Sequence, residues 1–176
     1  MLSCSALAAV ETQQLGPYNV SFDMKTDMKY QVQNRTVENP LATSYSMLIF
    51  TNNETLAQVT ITNYKNLTDS TLTMNGNLIA MKFALFGFNV TRMEEITIDD
   101  GKKGILISGP PIPQNTAYPS DLTLYRAVYW LDSIDWELVP VSAGKTSVDI
   151  TSYYPQDVTE GLLGSIHVVP AESPAK

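Results

Sequence analysis

His167 is the only histidine and Cys4 the only cysteine in this chain of 176 residues. A Ser–His–acid triad would have to move its proton through His167, yet no serine sits in a Gly-x-Ser-x-Gly frame. His167 falls near the end of an expected C-terminal helix, where the helix dipole accounts for it without catalysis. One cysteine rules out an intrachain disulfide and a multi-cysteine zinc centre. Neither a Walker sequence nor a dinucleotide fingerprint occurs. Asp99-Asp100-Gly101 resembles half of a calcium loop, but the ligand spacing of a full loop is missing, and Asp-Gly chemistry suits a hairpin turn. Glu94 and Glu95 are neighbours on an expected strand, so they point to opposite faces and form no acid/base pair. The expectation is a protein that is not an enzyme, with no catalytic residue, no cofactor and no metal ligand.

Two features could serve binding. Tyr125, Tyr129, Trp130, Trp136, Tyr153 and Tyr154 form an aromatic set, and aromatics over a polar groove hold sugars or peptides. Strand alternation already assigns half of them to the core. The second feature is the loop from Pro110 to Ser120. Its prolines Pro110, Pro111 and Pro113 stiffen it, so it could present Ile112 and Tyr118 at low ordering cost. A plain connector between strands is the competing reading.

The formal net charge is −7, with 11 Lys and Arg in all. No basic run is longer than Lys102-Lys103. Nucleic acid is excluded on that ground, since duplex binding needs clustered cations, and an anionic membrane surface is disfavoured likewise. No stretch approaches the ~20 apolar residues that span a bilayer. Leu2 to Ala9 reads like the end of a signal peptide, with Ala6 and Ala8 at the preferred cleavage spacing. Five Asn-x-Ser/Thr acceptor sites, at Asn19, Asn34, Asn53, Asn66 and Asn89, fit export and candidate glycosylation. Lipid anchoring through Cys4 is a further option. The expected setting is extracellular or at the cell surface.

The elements that must position these residues are mostly short strands. Tyr18 to Phe22 alternates apolar and polar. Lys29 to Val37 alternates less clearly. Tyr45 to Phe50 and Ala57 to Ile61 predict a hairpin. A helix over 70–86 follows, capped by Asp69 or Ser70, with Leu72, Ile79, Phe83 and Phe86 on its apolar stripe and Gly87 at its left-handed end. Gly76, inside that span, weakens its intrinsic propensity. Ile96–Ile98 and Ile105–Ile107 flank the Asp99-Asp100-Gly101 turn. Leu122 to Leu131 is an aromatic strand; Leu122, Leu124, Val128 and Trp130 share one parity, with Arg126 among them. Val148 and Ile150 mark the final strand. Asp157 and Glu160 have capping-box spacing, and Val158, Leu162 and Ile166 form one face of the closing helix.

The opening Gly16-Pro17-Tyr18-Asn19-Val20-Ser21-Phe22 and the closing segment from Val148 to Val168, with its Tyr154-Pro155 turn into a helix, resemble the ends of PsbP-like domains. The resemblance implies an α+β fold: a central antiparallel sheet flanked by helices, an α/β/α sandwich. It implies no reaction, because domains of that kind bind proteins or assist assembly, and no functional residue carries over.

The expected organisation is a signal-peptide remnant or disordered start over 1–14, one domain over 15–170 and a disordered tail over 171–176. The expected function is a noncatalytic exported binding or assembly module whose partner is a protein or another surface component. The alternatives are a small-ligand carrier, with a pocket between helix 70–86 and the sheet, and a hydrolase with an unfamiliar site.

Overall fold

The period-two alternation that dominates the sequence is realised as strands. A computed structural model describes residues 10–51, 54–65, 72–74, 76–132 and 142–171. Cys4, the Ala6/Ala8 spacing, Asn53, Asn66, Asp69, Ser70, Trp136 and the tail from 172 lie outside the described residues.

The first half holds β1 (Glu11–Leu15), β2 (Tyr18–Phe22), β3 (Gln31–Glu38), β4 (Ala42–Thr51), β5 (Glu54–Tyr64), β6 (Leu72–Met74) and α1 (Gly76–Leu85). The second half holds β7 (Arg92–Ile98), β8 (Lys102–Gly109), β9 (Leu124–Trp130), β10 (Ser142–Gly144), β11 (Thr146–Ser152), α2 (Gln156–Ser165) and β12 (His167–Pro170). Seven strands form one sheet in the order β3-β4-β5-β11-β9-β8-β7, three form a second in the order β1-β2-β12, and β6 pairs with β10. Every pairing between these strands is antiparallel.

The expected α+β sandwich, with helices flanking a central sheet, is overturned. Strands make up 54% and helices 13% of the structure. Size gives the reason. A seven-stranded sheet is roughly 29 Å across, at about 4.8 Å between strands, whereas a ten-residue helix is about 15 Å long. Neither α1 nor α2, each of ten residues, can cover such a face, and the three-stranded sheet does much of the covering instead.

On one face of the large sheet, Met47, Ile49, Val59, Ile61, Val148 and Ile150 pack against Val20 and Phe22 of β2, Val168 of β12, and Val158 and Leu162 of α2. On the other face, Ile79 and Phe83 of α1 pack against Ile105, Ile107, Leu124, Val128 and Trp130. The two clusters are the hydrophobic core, and the sheet lies between them. Tyr18 and Tyr45 meet edge to face at 6.3 Å across the two sheets.

Several expected elements change in extent. Leu72 belongs to β6 and not to the helix, and Gly76 begins α1 instead of weakening its interior. Thr73, beside Leu72, is β-branched and favours extended backbone. The capping box at Asp157 and Glu160 does not form: Pro155 takes the cap position with no side-chain hydrogen bond, and Thr159 N–H donates to the Pro155 carbonyl at 2.9 Å. Proline suits the start of a helix because its missing N–H would be unpaired there anyway. Strand pairing does not end with β11 either, because β12 follows α2 and pairs with β2. Ordered pairing also starts at Glu11, ahead of the expected boundary at residue 15.

Geometry requires glycine at several positions, Gly16 and Gly87 among them. Gly16 has φ +62° in the two-residue link between β1 and β2, and a Cβ there would strike the Tyr45 ring. Gly87, with φ +83°, ends the α1 segment as its sequence position predicts.

Candidate functional site

The register of the large sheet brings distant polar residues side by side. Arg126 of β9 lies opposite Thr151 of β11, and Thr151 lies opposite Gln58 of β5. In the next row Asp149 lies between Thr60 and Val128. Beyond them Thr60 is opposite Ser46 and Thr62 opposite Ser44, each pair joined by a hydroxyl hydrogen bond of 3.0 Å. The face that α1 covers is therefore apolar over β8 and most of β9 and largely polar over β11, β5 and β4, with Arg126 and Asp149 as its charged pair.

At the seam between these halves, Arg126 Nε donates to both Asp149 carboxylate oxygens, at 3.0 and 3.1 Å, and Nη2 donates to Oδ2. Both side chains are partly exposed. Nη1 is buried and has no hydrogen-bond partner among the described residues. Gln58 Nε2 donates to the Thr60 hydroxyl at 2.8 Å.

Aromatic rings wall the same place. Phe83 reaches in from α1 and is fully buried, whereas Phe86, just past the helix, is 67% exposed. Phe88 lies 5.7 Å from Phe83 and 5.2 Å from Tyr118, ring centre to ring centre. Tyr118 and Tyr153 stack at 5.4 Å with their planes 12° apart. Burial, followed by the contact with the Tyr118 hydroxyl, pushes the Tyr153 phenol well above its usual range, so it stays neutral. Between these rings and the Arg126–Asp149 pair is a half-open cleft of about 280 Å³.

The proline-rich loop reaches the cleft through one residue. Tyr118 lines it, but Pro111 is buried and bridges to Phe88. Ile112 is half-buried and its N–H donates to the Gly87 carbonyl at 2.9 Å. Pro110 is half-buried and Pro113 exposed. The loop is also anchored to the end of α1 by Asn115, whose Nδ2 donates to Gly87 O at 3.1 Å. Of the aromatic set, Tyr125, Tyr129, Trp130 and Tyr154 are core residues, Tyr153 joins Tyr118 at the cleft, and Trp136 lies outside the described residues. Among the sequon asparagines, Asn34 and Asn89 are exposed and Asn19 is half-buried in β2.

His167 follows directly on the Ile166 C-cap of α2, near the helix end as its sequence position predicts. It opens β12, and its Nδ1 lies 3.0 Å from Asp99 Oδ1 and 3.2 Å from Asp100 Oδ2. Asp99 is wholly buried at the side chain and also accepts from Tyr129 OH at 3.0 Å and Val168 N–H at 3.1 Å. Asp99 and Asp100 both have positive φ, at +46° and +55°, a conformation that aspartate tolerates better than most residues. Among the described residues no hydroxyl is hydrogen-bonded to the His167 ring, so the Asp–His pair fastens the β7–β8 turn to β12. Glu94 and Glu95 are engaged separately, with Arg92 and Lys103. No group of three or more His, Cys, Asp or Glu side chains able to hold a metal occurs among the described residues, and no helix among them is long and apolar enough to cross a membrane.

Sequence reasoning missed the Arg126–Asp149 pair. Its one signal is Arg126 on an otherwise apolar parity of β9. No family model, no curated protein and no solved structure matches this chain.

Proposed function

We propose that the protein is a noncatalytic binding module of the cell exterior whose ligand seat is the cleft between the end of α1 and the large sheet. The observation that carries this reading is the cleft itself. It joins exposed and half-buried aromatic rings to a small set of convergent polar groups, the composition typical of ligand pockets, and its volume of about 280 Å³ suits a small ligand or one segment of a longer one. The exposed acceptor asparagines Asn34 and Asn89 support the exterior setting. The PsbP-like resemblance adds nothing here, since that likeness implies no shared reaction or ligand.

Filling the cleft tests the proposal. Thr151→Trp places an indole on its floor, and Phe86→Ala removes a wall residue that is mostly solvated. A neutral environment-sensitive fluorophore with one carbonyl acceptor, 6-propionyl-2-dimethylaminonaphthalene, is expected to bind the native protein at one saturable site and to be lost in both variants while their circular dichroism is unchanged. Equal binding to native and variant proteins would overturn the assignment.

A further inference from the structure

We propose that the cleft binds a neutral saccharide, with one sugar ring against the Phe86–Tyr118 wall and its hydroxyls on Arg126, Asp149 and Gln58; this rests on the cleft being the binding site. The charge is balanced. Arg126 and Asp149 neutralise each other within the site, so an anion reaching the guanidinium would meet the Asp149 carboxylate, and a cation would meet the reverse. A wholly apolar ligand would strip water from this pair and from Gln58, Thr60 and Thr151 without returning hydrogen bonds, which costs about 1–3 kcal/mol for each group left unpaired. The ligand therefore needs many donors and acceptors and no net charge.

It also needs an apolar surface for the rings. A flat heteroaromatic would favour a slot between two parallel rings, but the parallel pair here, Tyr118 and Tyr153, is closed on itself at 5.4 Å. What remains are single ring faces and edges, which suit the C–H face of a pyranose. Arg126 lines the cleft, and its Nη1 is buried with no hydrogen-bond partner among the described residues, so a sugar hydroxyl would satisfy it once the side chain turns toward the cleft. The polar surface also continues outward from the cleft through Thr60, Ser46, Thr62 and Ser44, hydroxyls in rows about 4.8 Å apart from strand to strand. A chain of sugars has groups to follow there, and a single sugar does not.

The test uses the full chain and isothermal titration with glucose-, mannose-, xylose- and N-acetylglucosamine-based oligosaccharides, each as the monomer and as the hexamer, at low and high salt. At least one hexamer is expected to bind, more tightly than its monomer and with little salt dependence. Phe86→Ala should weaken it about tenfold, the scale of one lost ring contact, and Gln58→Ala should weaken it too, both with unchanged thermal midpoints. If the neutral fluorophore binds at the cleft but no neutral saccharide binds or displaces it, the saccharide assignment falls and the binding site stands. If neither binds, both fall. Saccharide binding that survives both substitutions, or that collapses with salt, overturns the assignment.

Discussion

Asp99 shows how one side chain can hold several elements at once. Its carboxylate gathers the Tyr129 hydroxyl, the Val168 amide and the His167 ring, all at 3.0–3.1 Å, and the carboxylate is fully buried. Removing it leaves a buried phenol and a buried amide unpaired, at about 1–3 kcal/mol each. Asp99→Ala should therefore cost about 3 kcal/mol or more in urea unfolding. His167→Ala should cost less than about 1 kcal/mol, because the imidazole is 41% exposed and exposed pairs contribute little. A larger loss for His167 than for Asp99 would contradict the geometry. Asp-Gly chemistry made Asp99 legible as a turn residue, and it is one. Its partners were hidden because Tyr129 is 30 positions away and Val168 is 69 away, and local spacing holds no information about such contacts. The same applies to Arg126 and Asp149, which are 23 positions apart and meet only through the β9–β11 register.

Among elements, those readable from sequence were those with their own periodicity. In the hairpins β4–β5 and β7–β8, β5 and β7 alternate apolar and polar residues while β4 and β8 carry short apolar runs, and α1 recurs at helical spacing through Ile79 and Phe83. The missed elements lack that signature. Glu11-Thr12-Gln13-Gln14-Leu15 has one buried residue in its strand, and His167 to Pro170 is four residues long; both become strands because β2 offers them an edge. The fold class was misread for a related reason: helical periodicity identifies a helix but not how much sheet it covers. The end of α1 gives a prediction at this scale. A Cβ on Gly87 would come within 2.6 Å of Asn115 Nδ2, and an L-residue in the left-handed region costs about 1–2 kcal/mol. Gly87→Ala should lose at least that much stability and also loosen the loop that carries Tyr118. Fluorophore binding at the cleft should weaken with it, in a titration made well below the unfolding midpoint. Unchanged binding would separate the loop's anchoring from the cleft.

For the whole molecule, the aromatic core sets an alkaline limit on stability. Burial, then the Asp99 charge and hydrogen bond, raises the Tyr129 pKa well above 10.0. Burial and the Glu11 hydrogen bond raise Tyr30 to about 12. Burial also raises Tyr153, Tyr154 and Tyr125. A phenol whose folded pKa is raised stabilises the fold fully below its unfolded value and loses that contribution as pH climbs through the folded value. Stability should therefore not depend on these tyrosines up to about pH 10, then fall steeply. Tyrosinate absorbance from these five phenols should lag behind free tyrosine and appear together with loss of near-ultraviolet dichroism. Smooth titration of all tyrosines near pH 10 in the folded state would refute this.

The pairing of β2 with β12 also sets the order in which the chain can be finished. Tyr18 to Phe22 emerges from the ribosome early, but its partner on one side, His167–Pro170, is almost the last described segment to be made. Until then Val20 and Phe22 have the β1 hairpin but no closed layer. Closing so long a span costs entropy before its contacts repay it. The small sheet should accordingly complete after synthesis and slowly. In pulsed hydrogen exchange during refolding, β4 and β5 amides should be protected before those of β12, and a nascent chain stalled before His167 should leave β2 open to protease. The small sheet thus joins the second and the last described strands, and this cover closes only after β11 has joined the two halves of the large sheet.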